Sequence, residues 1–337
     1  MAARHATAHA DDDRELDVGE STSPPTGGEA AAARPFLKWA GGKTQLLEPL
    51  IARAPREIGT YYETFLGGGA MFFGLLANPE LAPKRAVLND LNHHLVTVYE
   101  VVRDEVESLI EALGALSESY LEAGDDERSE FYYAQRSRRP TGRIDLAARF
   151  VFLNKTCFNG LYRVNRRGEF NVPHGKYRSP RILDIEGLRD ASQALRNVEL
   201  TCSDFGEALK APQAGDFVYL DPPFEPLSKT SSFTNYTQGA FDRSEQQRLK
   251  WAIDELTERG VRVMLSNSAQ DYILGLYSAD RGPFGRPGMR YRLETTLARR
   301  AINSRGDRRG AIDELIALNY SADEERRALE SSRPRNS

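Results

Sequence analysis

The run Asp216-Phe217-Val218-Tyr219-Leu220 ends in Asp221-Pro222-Pro223-Phe224, and that junction constrains the fold more than any other part of the chain. The run is short, apolar and β-prone, as a buried strand is. Two prolines at its end stop the hydrogen-bond ladder and fix the backbone, because each lacks an N–H and locks φ. The chain must turn at the strand's carboxyl end, where open α/β sheets bind their ligands. The corner offers a carboxylate, a bare carbonyl and an aromatic ring. Those groups suit a planar amine, with two acceptors for its N–H bonds and a face for stacking. By itself the tetrapeptide reads equally well as a proline-stiffened turn.

Six further segments have strand composition: Tyr61–Phe65, Ala86–Asn89, Val198–Cys202, Val261–Ser266, Tyr291–Leu297 and Leu315–Asn319. Helical patterns lie between them, such as Gly69–Ala77 and Ser244–Arg259, the latter with Asp242 and Ser244 as cap residues. This alternation predicts an α/β fold, a mostly parallel Rossmann-like sheet with helices on both faces. From about Asn92 to Ala148, and through the basic stretch that follows, helical segments break the pattern. That interruption reads as an inserted, largely helical lobe.

Charge is distributed unevenly. Residues 1–33 hold seven Asp/Glu against Arg4 and Arg14, with hardly any large apolar side chain. They cannot bury enough surface to offset ordering entropy and read as a disordered acidic tail. Residues 321–337 read as a frayed polar tail. Residues 128–181, in contrast, hold 13 Lys/Arg against 3 Asp/Glu. That density is the footprint of a nucleic-acid-binding face, and its ordinary alternative is a solvated arginine-rich helix. No apolar run reaches membrane-spanning length, and no leader of the signal-peptide type is present. Cys157 and Cys202 lie far apart without metal-ligand spacing, which predicts free thiols, a cytoplasmic protein and no metal.

Three constellations carry chemistry. Phe65-Leu66-Gly67-Gly68-Gly69 follows a strand segment and opens a helix, as a ligand-approached glycine turn does. It is not a full dinucleotide fingerprint, because Phe72 stands where the third glycine belongs. Asp90, one βαβ step later, is placed as the usual partner of a ribose diol. Together they suggest an adenosine-containing cofactor with no phosphate requirement. Trp39-Ala40-Gly41-Gly42-Lys43-Thr44 imitates a phosphate loop, but Leu37 stands where the Walker pattern needs glycine, which argues against nucleotide triphosphate hydrolysis. Finally, Phe158 to Gly168 mixes aromatics, amides and arginines on a loop or hairpin. Arg pairs with guanine and Asn with adenine, and an aromatic can wedge into an opened base step. Taken without the other motifs, the same run reads better as a basic turn whose aromatics plug the core.

In order, these segments closely resemble the Dam-type family of S-adenosylmethionine-dependent DNA adenine-N6 methyltransferases. The matching runs are Phe36–Lys43, Glu63–Gly69, Asn89–Asn92, Asn159–Arg163, Gly168–Pro173, Asp221–Phe224, Leu265–Asn267 and Arg300–Ser304. The resemblance implies a Rossmann-like methyltransferase sheet built from 34–94 and 186–320, with 95–185 as an inserted target-recognition domain. It implies that Trp39, Lys43, Phe65, Gly67, Gly69, Asp90 and Asp221 bind S-adenosylmethionine. It assigns catalysis to Asp221, Pro222 and Phe224, on an adenine flipped out of duplex DNA. Arg163 takes the place of the guanine reader, Asn159, Leu161 and Pro173 those of neighbouring base contacts, Phe158 that of the wedge and Lys38 that of an outer contact. The family target is GATC, the expected partner is double-stranded DNA, and the expected state is a monomer with no membrane association. Phe224 departs from the family's usual Tyr, keeping a stacking face and losing a hydroxyl. A partner of a restriction system with another target, a cytosine-N4 enzyme (usually Ser in place of Asp221) and a non-catalytic DNA-binding protein are the competing readings.

Overall fold

A computed structural model describes residues 33–39, 41–224, 241–278, 291–299 and 311–321. Apart from Ala33 and Ser321, the two expected tails lie outside the described residues, as does the run Arg300–Ser304.

Seven strands form one sheet: β1 (Tyr61–Glu63), β2 (Ala86–Asn89), β3 (Val198–Thr201), β4 (Phe217–Leu220), β5 (Arg262–Ser268), β6 (Arg292–Arg299) and β7 (Ala311–Leu318). Their spatial order is β3-β2-β1-β4-β5-β7-β6. The pairings from β3 through β5 are parallel, while β7 runs antiparallel between β5 and β6. The chain leaves β1 toward β2 and β3, then returns to β4 on β1's other side. The crevice between the carboxyl ends of β1 and β4 is therefore the topological switch point.

Alternate strand residues feed two apolar layers, as the two-residue period of a strand requires. Tyr61, Phe217 and Tyr219 enter one, and Tyr62, Val218 and Leu220 the other. All four β4 residues are buried, the pattern of a strand covered on both faces. Helices α1 (Leu47–Arg53), α2 (Ala70–Leu76) and α3 (His93–Asp104) supply the first layer, and α9 (Arg243–Glu258) and α10 (Asp271–Ser278) the second. Asp242 caps α9 by accepting from the N–H groups of Ser244 and Glu245. Ser244, read as a second cap, instead lies inside the helix and donates its hydroxyl to Asp242 at 2.6 Å.

Between α3 and β3 come α4 (Val106–Glu122), α5 (Asp125–Ser137), α6 (Arg143–Thr156) and α7 (Ile185–Leu195), with a hairpin between the last two, and the short α8 (Phe205–Ala208) follows β3. One apolar cluster runs from Tyr61, Leu88 and Phe217 of the sheet through Leu113 and Tyr120 of α4 to Phe152 of α6. The helical lobe thus shares its core with the sheet, and the hairpin is carried on a rigid support.

Candidate active site

The carboxyl ends of β1, β2 and β4 open into a cavity of about 830 Å³. Trp39, Lys43, Phe65, Gly67, Gly69, Asp90, Asp221, Pro222 and Phe224 all line it. Every residue expected to bind cofactor or act in catalysis therefore faces one space.

The glycine turn is shaped by its neighbours. Gly67 and Gly69 have φ of 48° and 68°, a region that side-chain-bearing residues adopt only with strain. A Cβ on Gly67 would lie 2.7 Å from the Trp39 indole, so this glycine admits Trp39 as well as a ligand. Trp39 in turn stacks on Tyr162 with centroids 5.6 Å apart, linking cavity and hairpin. Asp90 accepts from the N–H of Gly67 at 3.0 Å and from that of Asn92 at 2.9 Å. Burial pushes its carboxyl up, and those backbone donors pull it back. Asn89, buried at the end of β2, donates to Thr64 O and Ser203 O and accepts from Thr201 and Ser203. One amide thereby ties the tips of three parallel strands together.

The Asp221–Phe224 corner is held from below. Gln246 of α9 donates to Pro223 O at 3.1 Å and accepts from Asn267 of β5 at 3.0 Å, both side chains being fully buried. Lys43 enters from the other side. It begins the short helix Lys43–Leu46, and its Nζ lies 3.0 Å from Asp221 Oδ1 and 3.3 Å from Glu314 Oε2. The same ammonium lies 4.4 Å from the centre of the Phe224 ring. This lysine is locked between carboxylates, unlike one that reaches for phosphate.

Beyond the cavity, a hairpin starts where Phe158 N donates to Pro173 O at 2.9 Å. Cys157 bridges to His174 and Val164 to Phe170, both antiparallel. Helices α4 and α5 brace it: Tyr120 hydrogen-bonds His174 at 2.7 Å, and Tyr132 donates to Val172 O at 2.9 Å. Asn154 of α6 donates to the carbonyls of Lys38 and Gly160, which brings Lys38 beside the hairpin. Lys38, Phe158, Arg163 and Pro173 are exposed, while Leu161 is half-buried. Asn159 has a φ of 55° and donates its backbone N–H to the Tyr177 hydroxyl. Arg163 is steadied by Asn171, donating to its side-chain oxygen at 2.7 Å and its carbonyl at 3.2 Å.

The family model of D12 class N6 adenine-specific DNA methyltransferases matches residues 39–290. The chain belongs to that family. It is 42% identical over 298 residues to the type II methyltransferase M.MjaIII of Methanocaldococcus jannaschii, covering 85% of this chain and 99% of the relative. To the type II methyltransferase M1.LlaDCHI of Lactococcus lactis it is 39% identical, covering 85% and 95%. To the DNA adenine methylase of Escherichia coli K12 it is 32% identical, with the same two coverages.

Three features of this DNA adenine methyltransferase escaped the sequence reading. Glu63 belonged to a matched run but to no role. It is buried beside the cavity, accepting from the Tyr61 hydroxyl at 2.7 Å and the Phe72 N–H at 3.2 Å. Burial pushes its carboxyl up to about 8, the two donors holding it back only in part. Gln246 sits inside a helix pattern that gave no reason to single it out. Glu314 fell outside the strand read as Leu315–Asn319, because charged Asp313 and Glu314 break the apolar run. The strand includes them. Burial also pushes Asp221 up, Lys43 pulls it down, and the balance leaves it at about 6.

Proposed function

We propose that this methyltransferase binds S-adenosylmethionine in the cavity between β1 and β4 and moves its methyl group to N6 of an adenine in duplex DNA. The observation that carries this reading is the convergence of Asp90, the glycine turn and Asp221 on one cavity. The residues fit the cofactor. The Gly67–Gly69 turn makes room against the Trp39 indole, and Asp90 has acceptor capacity beyond its two backbone donors for a ribose diol. When bound, S-adenosylmethionine supplies an electrophilic methyl on sulfur.

The remaining chemistry belongs to the chain. A stacked adenine cannot reach the cavity floor, so the base has to leave the helix. Phe224 gives it a stacking face. Asp221 and the Pro222 carbonyl accept the two N–H bonds of its amine, which turns the nitrogen lone pair toward the methyl carbon. As the N–C bond forms and the methyl's bond to sulfur breaks, its electron pair staying on sulfur, positive charge grows on that nitrogen. The Asp221 carboxylate stabilises it, and the amine then gives up one N–H proton to become neutral. The Gln246–Asn267 pair occupies the neighbouring Pro223 carbonyl and fixes the corner's direction. This alignment is the proximity part of the rate enhancement.

Lys38 and residues of the hairpin read the target. Lys38, Phe158, Asn159, Leu161, Arg163 and Pro173 contact DNA in this reading, with Arg163 on guanine and GATC as the site. The lobe 95–185 is then the recognition insert. A second reading is a restriction-modification partner with another adenine target; the higher identity to two type II methyltransferases than to the E. coli methylase favours the restriction-modification part of it. Methyl incorporation into duplexes with GATC, with one base pair changed and with a scrambled sequence separates the two. Incorporation confined to the GATC duplex supports the first, incorporation into the changed or scrambled duplex but not into GATC supports the second, and equal incorporation into all three contradicts both.

A further inference from the structure

Lys43 stands where the proposed substrate belongs. Its ammonium is 3.0 Å from Asp221 and 4.4 Å from the centre of the Phe224 ring, so it occupies the carboxylate and the ring that would hold adenine. An ammonium and an adenine amine compete for the same oxygen. A cation fixed there also opposes the transfer, because positive charge builds on the attacking nitrogen. The structure provides a second seat. Glu314 lies 3.3 Å from the same Nζ, and its side chain is only 12% exposed. A carboxylate so buried needs a cationic partner to stay charged. The reversal of β7 puts it there, opposite Ser268 of β5 and Thr296 of β6.

Resting on the function proposed above, we propose that the Lys43 ammonium is a stand-in for the adenine amine, and that Glu314 is the positioning residue that receives it when the base enters. The exchange leaves both carboxylates with a hydrogen-bond donor. Asp221 trades an ammonium contact for an amine N–H, and Lys43 keeps Glu314 as its partner. A static triad would give Glu314 a part in stability alone.

The test is Glu314→Gln in the full chain, which keeps side-chain size and removes the charge. With the ammonium left on Asp221, kcat falls by about tenfold or more while S-adenosylmethionine affinity, measured by calorimetry, stays unchanged. The acid limb of the kcat profile moves to lower pH, since Glu314 helps push the Asp221 carboxyl up. Glu314→Asp, which keeps the charge, retains most of kcat. In a Lys43→Met background there is no ammonium to receive, so adding Glu314→Gln changes kcat by less than about twofold. Wild-type kcat in Glu314→Gln, equal losses in the Asp and Gln variants, or the same loss in both backgrounds would overturn the proposal. A wild-type chain that methylates no adenine defeats the underlying function instead, and that control is read before any variant.

Discussion

The cavity and the hairpin solve recognition in opposite ways. At the cavity the polar side chains that shape it are buried and paired: Lys43 is 4% exposed between two carboxylates, Gln246 bonds Pro223 O and Asn267, and Asn89 bonds the backbone and the Thr201 and Ser203 hydroxyls. On the hairpin the side chains proposed for recognition are exposed or half-buried, Phe158 at 42% exposure, above a braced backbone, and Arg163 is held by Asn171. Burial gives the cavity its chemistry, because it shifts carboxyl groups and fixes directions in a low-dielectric space. Exposure suits the hairpin to the role proposed for it, because residues that read DNA must meet a partner that arrives from outside. Changes in the cavity should therefore strike rate, and changes on the hairpin should strike selectivity.

The largest effect that could break this division is Asp221→Asn. It replaces the acceptor with an amide that can donate, and kcat should fall by about 10²–10³ as for loss of one preorganised electrostatic group. The preference between DNA sequences should survive, measured as a ratio of single-turnover rates. Loss of preference with rate intact would reverse the assignments of the two regions.

Arg163→Ala is the complementary change. It should cost about 1–3 kcal/mol of discrimination at one base pair, with turnover on saturating DNA retained. Competition between duplexes differing at single positions checks it. A uniform loss on every sequence would make Arg163 a phosphate contact.

Acidity sharpens the contrast further. Asp221 sits at about 6, so the acceptor is ionised above that pH and protonated below it. Methyl transfer should decline as pH falls through about 6, roughly two units earlier than for a carboxylate in water. A profile that stays level to pH 5 would show that Asp221 is not the titrating acceptor.

The smallest effect belongs to Glu63. Its folded-state value of about 8 exceeds the unfolded value, so its contribution to stability is complete in acid and is lost as pH rises through 8. Glu63→Gln keeps a neutral acceptor for Tyr61 and Phe72. Its melting temperature should stay within about 2 °C of wild type at pH 4, below the unfolded value, and exceed it at pH 8, where the contribution has been lost. Equal melting curves at both pH values would show that Glu63 ionises without cost.

Much of this was legible in the sequence, for identifiable reasons. Phe217–Leu220 could be placed because four consecutive apolar residues ending in prolines leave a strand few alternatives, and β2 and β4 keep their expected limits. Trp39, Lys43, Asp90 and Asp221 lie in local runs, and the fold gathers them into one cavity. Glu314 was not legible. It reaches the site because β7 runs backward between β5 and β6, a long-range pairing with no local signature. Gln246 was hidden for a related reason, since a buried amide on a helix reads as an ordinary polar position until its partners at Pro223 and Asn267 are known. The use of Gly67 was only half visible. Its positive φ suits a ligand-binding turn, but the Trp39 ring that rests on it comes from a segment far upstream.

The central claim is that the Asp221–Phe224 corner grips an adenine amine and directs methyl transfer to it. Nucleoside mass spectrometry of duplex DNA after a single turnover tests this most directly, with wild type and Asp221→Ala compared at matched DNA occupancy. The account predicts N6-methyladenine from wild type and none above background from the variant. Methylcytosine from wild type, or a near-normal yield of N6-methyladenine from Asp221→Ala, would contradict it.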